Sequence, residues 1–240
     1  MSGNKFCFII CTNHPVYLEE CIHYIQHLIV PEGYEIDLLA IERAASMTTG
    51  YQEAMEQSDA KYKIYLHQDV FILNRRFLLD ILSIFENDSE IGMIGMRGYE
   101  RVSPDGIMWH HEQWLGTVYQ RNSGRSYEDY REYCYSLSTD GYECGAMVDG
   151  LLLATAYDLP WNTQELKAFD FYDAFQSMEF LKKGYKIVIP VQRNPWCLHD
   201  DGQLCNMKNY DQYRQLFLKK YSYALGKDYR QIMELCREKR

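Results

Sequence analysis

The tripeptide His67-Gln68-Asp69 stands directly behind a short hydrophobic run, Tyr62-Lys-Ile-Tyr-Leu66, and is followed by Val-Phe-Ile-Leu. A charged carboxylate beside a buried strand is costly unless it has a partner or a job. At the C-terminal end of a strand in an open α/β sheet, where ligands are handled, such a group suits a divalent cation held against a phosphate. A solvated strand-end Asp is the plainer alternative. Two more chemistry-bearing residues stand at element ends: Asp173, at the start of the segment that ends in Lys182-Lys183-Gly184, and His199, in Trp196-Cys-Leu-His-Asp-Asp-Gly202. If all three converge on one rim of a sheet, an Asp and a His around a metal with open positions make a site for phosphate oxygens and water. The plain alternatives are a carboxylate facing a helix dipole for Asp173 and an ordinary loop histidine for His199.

These residues need a scaffold that brings strand ends together. Lys5-Phe-Cys-Phe-Ile-Ile-Cys11 is a continuous apolar run of parallel-sheet type, and Asn13-His14-Pro15 after it is a helix start. Leu18, Cys21, Ile22, Ile25 and Leu28 recur at helical spacing, and Pro31-Glu-Gly33 is expected to end that helix. Glu35–Ile41 predicts a second strand, Ser46–Ser58 a helix with Tyr51, Ala54 and Met55 inward, and Tyr62–Leu66 a third strand. A helix near Arg76–Phe85 and a strand at Ile91–Gly95 follow, and this alternation implies βαβ units and a largely parallel sheet.

Residues 97–141 are polar, aromatic and rich in Gly and Ser without clean periodicity, which predicts a functional loop or lid. Beyond it, Tyr142–Val148 and Leu151–Thr155 predict short strands around Asp149-Gly150. Tyr172–Lys183 predicts a helix stopped by Gly184, and Tyr185–Val191 a last strand, with His199 after it. The tail from Asn209 reads as two helices broken at Gly226. No linker intervenes, so the expected organisation is one domain over residues 1–208 with a helical extension, 209–240, packed on it.

Composition narrows the function classes. A chain of 240 residues with 47% hydrophobic and 25% charged residues is of ordinary globular make-up. A net charge of −9 argues against nucleic acid as a partner, though a local cation or metal can still receive an anionic substrate. No signal-peptide pattern and no membrane-spanning run is expected, while peripheral membrane contact and oligomerisation stay open. The eight cysteines include no Cys-x-x-Cys pair, which favours a reduced, cytoplasmic protein without structural zinc. The 21 tyrosines exceed what a core is expected to need and suit sugar or nucleotide stacking as well as subunit contacts. No Gly-x-Ser-x-Gly, Walker or Gly-x-Gly-x-x-Gly motif is present. His110-His111 reads as a loop pair, since adjacent side chains cannot easily share one metal. Asp200-Asp201 reads as a pair orienting His199 or as a solvated turn.

The run as a whole resembles family 2-type glycosyltransferases of the GT-A fold, and within them the small subgroup named for a streptomycin-biosynthesis protein. That subgroup has His-Gln-Asp in place of Asp-x-Asp, matched here by His67-Gln68-Asp69. The family's Glu-Asp before a helix ending in a basic residue and Gly-Tyr is matched by Tyr172-Asp173 and Lys182-Lys183-Gly184-Tyr185, and its downstream histidine by His199. Ile9–Asn13 is similar to the opening nucleotide-binding strand, Ser46–Ala54 to the Ser…Asn segment, and Val148-Asp149-Gly150 to the acceptor-side strand. The chain departs from the pattern at His67, at Tyr172 (usually Glu), at Gln52 (usually Asn) and at Glu42, an approximate match to the base-reading acid.

The resemblance implies a three-layer α/β/α sandwich with a mostly parallel mixed sheet. It implies transfer of a sugar from a nucleoside diphosphate sugar, UDP-linked by preference, to the hydroxyl of a glycan or small-molecule acceptor, with inversion. Asp173 would be the base, and Asp69 with His199 would hold Mg²⁺ or Mn²⁺. Thr12, Asn13, Glu42, Ser46, Gln52, His67 and Gln68 would face the donor nucleotide. Asp149, Gly150, Trp109 and Trp114 would face the acceptor, beneath a 97–140 loop. The rival classes are a non-catalytic nucleotide-sugar-binding relative and a metal-dependent sugar-phosphate nucleotidyltransferase. The second would call for a Gly-rich, basic first loop, which Thr12-Asn-His-Pro15 is not.

Overall fold

The computed structural model describes residues 2–110, 114–122, 141–202 and 207–238. The first apolar run forms β1 (Ser2–Thr12), whose alternation decides the layers. Cys7, Ile9 and Cys11 face one hydrophobic cluster, and Phe6, Phe8 and Ile10 face the other, all of them buried. A strand that is apolar on both faces needs helices on both, and they follow. α1 (Pro15–Gln26) and α3 (Phe77–Asn87) close the Phe6 side; α2 (Met47–Gln57) and α4 (Tyr172–Lys183) close the Cys7 side. Pro15 opens α1, with His14 Nδ1 accepting from Tyr17 N as its cap.

Seven strands make the central sheet: β2 (Glu35–Glu42), β1, β3 (Ala60–His67), β11 (Leu152–Thr155), β5 (Ile91–Gly95), β12 (Lys186–Pro190) and β9 (Tyr142–Gly145), in that spatial order. β1 is parallel to β2 and β3, and β5 to β12, while β11 and β9 run antiparallel to their neighbours. The expected three-layer, mostly parallel mixed sheet is therefore present.

Two small sheets finish the C-terminal rim. One orders β10 (Met147–Val148), β6 (Arg97–Tyr99) and β7 (Trp114–Gly116); the other orders β4 (Val70–Ile72), β13 (Cys197–Gly202) and β8 (Tyr119–Asn122). These correct three expectations. Residues 97–122 carry three strands rather than one irregular loop, and residues 123–140 of the expected lid lie outside the described residues. His199 does not follow the last strand but sits within β13, opposite Val70 of β4. α1 stops at Gln26, five residues before Pro31, which lies beyond the turn and not at the helix end.

The C-terminal segment forms α5 (Tyr210–Lys220) and α6 (Tyr229–Glu238), with Gly226 at φ 71° between them. Phe217, Tyr221 and Ile232 are buried in the same cluster as Phe175 and Phe180 of α4. The core takes up several of the tyrosines, Tyr51 as expected; Tyr51, Tyr62, Tyr65, Tyr99 and Tyr221 are among the largest fully buried side chains. Among the described residues no helix is long and apolar enough to cross a membrane.

Candidate active site

Strand β3 delivers His67 at its last position, and the chain then turns through Gln68 and Asp69 into β4. Gln68 is a clamp. Its Oε1 accepts from Thr12 Oγ1 (2.8 Å), Asn13 N (3.0 Å) and His14 N (2.9 Å), and its Nε2 donates to Asn13 Oδ1 (2.8 Å). One amide thus fixes the turn after β1 to the turn after β3, so Thr12, Asn13 and Gln68 stand at one rim. Gln68→Leu removes an acceptor of three donors and is expected to cost about 1–3 kcal/mol of stability. Urea melts of parent and variant at one pH check this; equal midpoints and slopes would mean that water replaces the amide.

Asp69 is 7% exposed, yet among the described residues no donor lies within hydrogen-bond distance of its carboxylate. Its neighbours are imidazoles: His67 Nδ1 at 3.9 Å and His199 Nε2 at 3.7 Å from Oδ1. Pairing of β13 with β4 brings His199 there, reinforced by Asp200 N donating to Asp69 O at 2.9 Å. His199 Nδ1 is also buried and without a partner among the described residues. A nearly dry carboxylate lacking donors is costly, and one carboxylate with two imidazoles is a donor set that fits a divalent cation. Burial holds His67 below the usual histidine range, with Asp69 only partly offsetting it.

Asp173 comes from a different element, the first turn of α4, which the Tyr172–His67 contact ties to the end of β3. Its Oδ2 accepts from Gly150 N and its Oδ1 from Ala174 N, both at 2.8 Å. Burial raises its pKa, the charge of Asp149 adds to that, and the backbone donors oppose both; the balance is about 7. The adjacent Tyr172 hydroxyl donates to Gly150 O at 2.9 Å and meets His67 Nε2 at 2.5 Å. Both peptide groups of Gly150 are therefore tied to the start of α4. A Cβ there would lie 2.1 Å from the Tyr172 oxygen, so the position tolerates only glycine without a rearrangement. Phe171, just before the helix, holds a left-handed φ of 63°, a strained geometry of the kind found at functional sites. Its ring packs on Tyr210 and Phe217 of α5, at 4.7 and 5.8 Å between centroids, so α5 braces the turn that presents Asp173. Gly184 closes α4 with φ 91°.

Asp149, the residue before Gly150, is paired with Arg97, which reaches it from β6 through Nε (3.1 Å) and one terminal nitrogen. Arg97 also donates to Gln120 Oε1 (3.0 Å) and stacks over Trp114 at 4.9 Å. Burial opposes ionisation of Asp149, but the charge and hydrogen bonds of Arg97 outweigh it and hold the pKa below the usual value. Arg97 was not read from the sequence as a site residue. The signal was an arginine next to the apolar run Ile91–Met96 and an aspartate between Met147-Val148 and Leu151–Ala154. Two opposite charges in such surroundings must find each other. The same signal marks Lys63, fully buried in β3 and paired with Asp158 at 2.9 Å.

The remaining expected residues are held as follows. Glu42 is exposed at the end of β2, in register with Thr12. Ser46 is buried as the cap of α2, accepting from Thr49 N at 3.1 Å. Gln52 has both amide ends engaged, accepting from Trp161 N (2.8 Å) and donating to Glu56 (2.6 Å). Trp109 falls in a short turn, Met108–His110. His110 pairs with Asp105 at 2.8 Å, while His111 lies outside the described residues.

Comparison with known proteins bears on the family and the fold. A family described as "Glycosyltransferase like family" matches residues 7–221. No curated protein matches the sequence. Among solved structures, a fragment of S. aureus TarS, residues 1-349, superposes with a TM-score of 0.56 at 10% identity, covering 95% of this chain and 69% of that one. The Pyrobaculum calidifontis mannosyltransferase PcManGT, in complex with GDP-Man and Mn2+, gives 0.56 at 12% identity, covering 98% and 68%. The TarS fragment in complex with UDP gives 0.55 at 11% identity, covering 95% and 69%. At such identities these likenesses speak to the fold, which is the GT-A fold. The family match runs from within β1 to just past the end of α5, and on it the chain belongs to the glycosyltransferase-like family.

Proposed function

We propose that this enzyme transfers a sugar from a nucleoside diphosphate sugar to an acceptor hydroxyl, with inversion, and that Asp173 is the base. The observation that carries the reading is a pair of buried carboxyls joined through the Tyr172–His67 contact. Asp69, with no hydrogen-bond donor among the described residues, lies between two imidazoles; Asp173, beside Tyr172, has a pKa of about 7. A base poised near the working pH suits removal of a proton from a hydroxyl.

Asp69, His199 and His67 would hold a divalent cation, Mn²⁺ or Mg²⁺. When bound, it supplies positive charge against the diphosphate that leaves. The turns clamped by Gln68 shape the nucleotide end, and Asp173 takes the acceptor proton as the hydroxyl attacks from the opposite side. Two of the similar solved structures are complexes, one with UDP and one with GDP-Man and Mn2+. UDP is our preferred nucleotide for this chain, by the position of Glu42 beside Thr12. The His-Gln-Asp sequence supports placement nearest the streptomycin-type subgroup. Phe171 packed on α5 supports residues 209–240 as part of the same domain. Cys7, Cys11 and Cys21 lie buried as free thiols, which supports work in a reducing cytoplasm.

Thermal shift against UDP- and GDP-sugars, with and without Mn²⁺, tests the reading. A ligand at about 100 times its Kd should stabilise the protein by about 2.7 kcal/mol. Asp69→Ala should abolish the metal-dependent part while leaving the unliganded protein folded. Equal Mn²⁺-dependent stabilisation of parent and variant would remove Asp69 from the site, and no stabilisation by any nucleotide sugar would remove the donor class.

A further inference from the structure

The hydroxyl of Tyr172 has one proton, and its neighbours determine where that proton goes. Gly150 O, 2.9 Å away, can only accept, so the hydroxyl donates to it. The contact with His67 Nε2 at 2.5 Å must then run the other way, with Nε2–H donating to the Tyr172 oxygen. In a neutral imidazole that leaves Nδ1 with a lone pair, and Nδ1 is the nitrogen turned toward Asp69, 3.9 Å from Oδ1. Tyr172 itself has little freedom to reorient. It is 4% exposed, its ring lies against Tyr51 and Trp161 (5.8 and 6.2 Å between centroids), and a Cβ on Gly150 would collide with its oxygen.

We infer that Tyr172 is a positioning residue that fixes the tautomer of His67, making its Nδ1 the third ligand of a metal site completed by Asp69 and His199 Nε2. The inference rests on the proposed function for the purpose of that metal. Edges of 3.7 and 3.9 Å about Asp69 Oδ1, with all three donor atoms within 4.8 Å of one another, compare with roughly 3–3.4 Å between neighbouring ligands of an ion bonded at about 2.1 Å, so the three side chains draw together as the site fills. Two imidazoles and one carboxylate favour borderline transition ions over Mg²⁺, which prefers oxygen. The metal class is therefore a first-row divalent ion such as Mn²⁺ or Co²⁺.

Metal binding measured directly, without turnover, tests this. In metal-free parent protein, long-range ¹H–¹⁵N correlation spectra should show His67 protonated at Nε2; protonation at Nδ1 overturns the inference. Tyr172→Phe keeps the ring and removes the hydroxyl. Calorimetric titration with Mn²⁺ and Co²⁺ should show a loss of about 10–100-fold in affinity, the range for removing a group that orients a ligand. His67→Asp restores two carboxylates and should lower the preference for Co²⁺ over Mg²⁺ by at least about 10-fold. A folded Tyr172→Phe protein with parental Mn²⁺ affinity, or an unchanged Co²⁺/Mg²⁺ ratio in His67→Asp, overturns the assignment. If those results come with normal nucleotide-sugar binding by the parent, the proposed function stands and only the role of Tyr172 and His67 falls.

Discussion

Asp173→Asn is expected to lower transfer by about 10²–10⁴-fold in kcat, with donor KM close to parental, because a general base acts on the reacting hydroxyl and not on the nucleotide. The same substitution should leave a mark on stability that depends on pH. The pKa of Asp173 in the folded protein is about 7, against about 3.9 for an unfolded chain. The folded state therefore holds a proton that the unfolded state has released across that window. The stability from this group is fully present below about pH 4 and is lost as pH rises through 7. The whole loss is on the order of 4 kcal/mol.

Asn does not titrate, so it should gain on the parent by about 3 kcal/mol between pH 5 and pH 8. The offset at any one pH is a poor guide, since Asn can accept from only one of the two backbone donors, Gly150 N and Ala174 N. The slope is the test. Urea melts of both proteins across pH 5–8, set beside initial rates, separate a costly functional carboxylate from one that only faces the helix dipole. A dipole-facing Asp would be destabilised on removal by about 0.3–1 kcal/mol at every neutral pH, with the rate intact.

The parts legible in the sequence were those whose signal is local. β1, β5 and α4 announce themselves by apolar runs and by Gly184 at a helix end, and their observed bounds lie within a few residues of those expected. The element ends carrying Asp69 and Asp173 were readable for the same reason. What was not readable depends on pairing between distant segments. The strands β4, β6 and β7 have three residues each, too few for a period, and form only because β13, β10 and one another supply partners. Insertion of β11 antiparallel between β3 and β5 leaves no mark on its four apolar residues. At the site, Gln68 reads as facing the nucleotide because its neighbours do chemistry; that its amide also holds the turn after β1 is visible only in the fold. Tyr172 stands out in the sequence only as a departure from Glu; the fold shows that it bridges Gly150 and His67.

Arg97 and Asp149 form a charge pair in which each residue is legible only through the other, and breaking it should be the most damaging single change at the site. Arg97→Met keeps much of the apolar stem and strips the charge from a carboxylate whose side chain is only 19% exposed. Losing one partner of such a pair costs about 3–5 kcal/mol. Adding Asp149→Asn should recover most of that loss, because what destabilises the single variant is the carboxylate left alone and not the missing bond. The two single variants should also move catalysis in opposite directions. Asp149 is the charge that, after burial, does most to raise the pKa of Asp173. Asp149→Asn should therefore shift the acid limb of the kcat profile to lower pH. Arg97→Met unmasks the Asp149 charge, so the two carboxyls retain a shared proton further into the alkaline range and the limb shifts up. Rate profiles of the two variants with coincident acid limbs would show that Asp149 does not act on Asp173, and would leave Arg97 a purely structural partner.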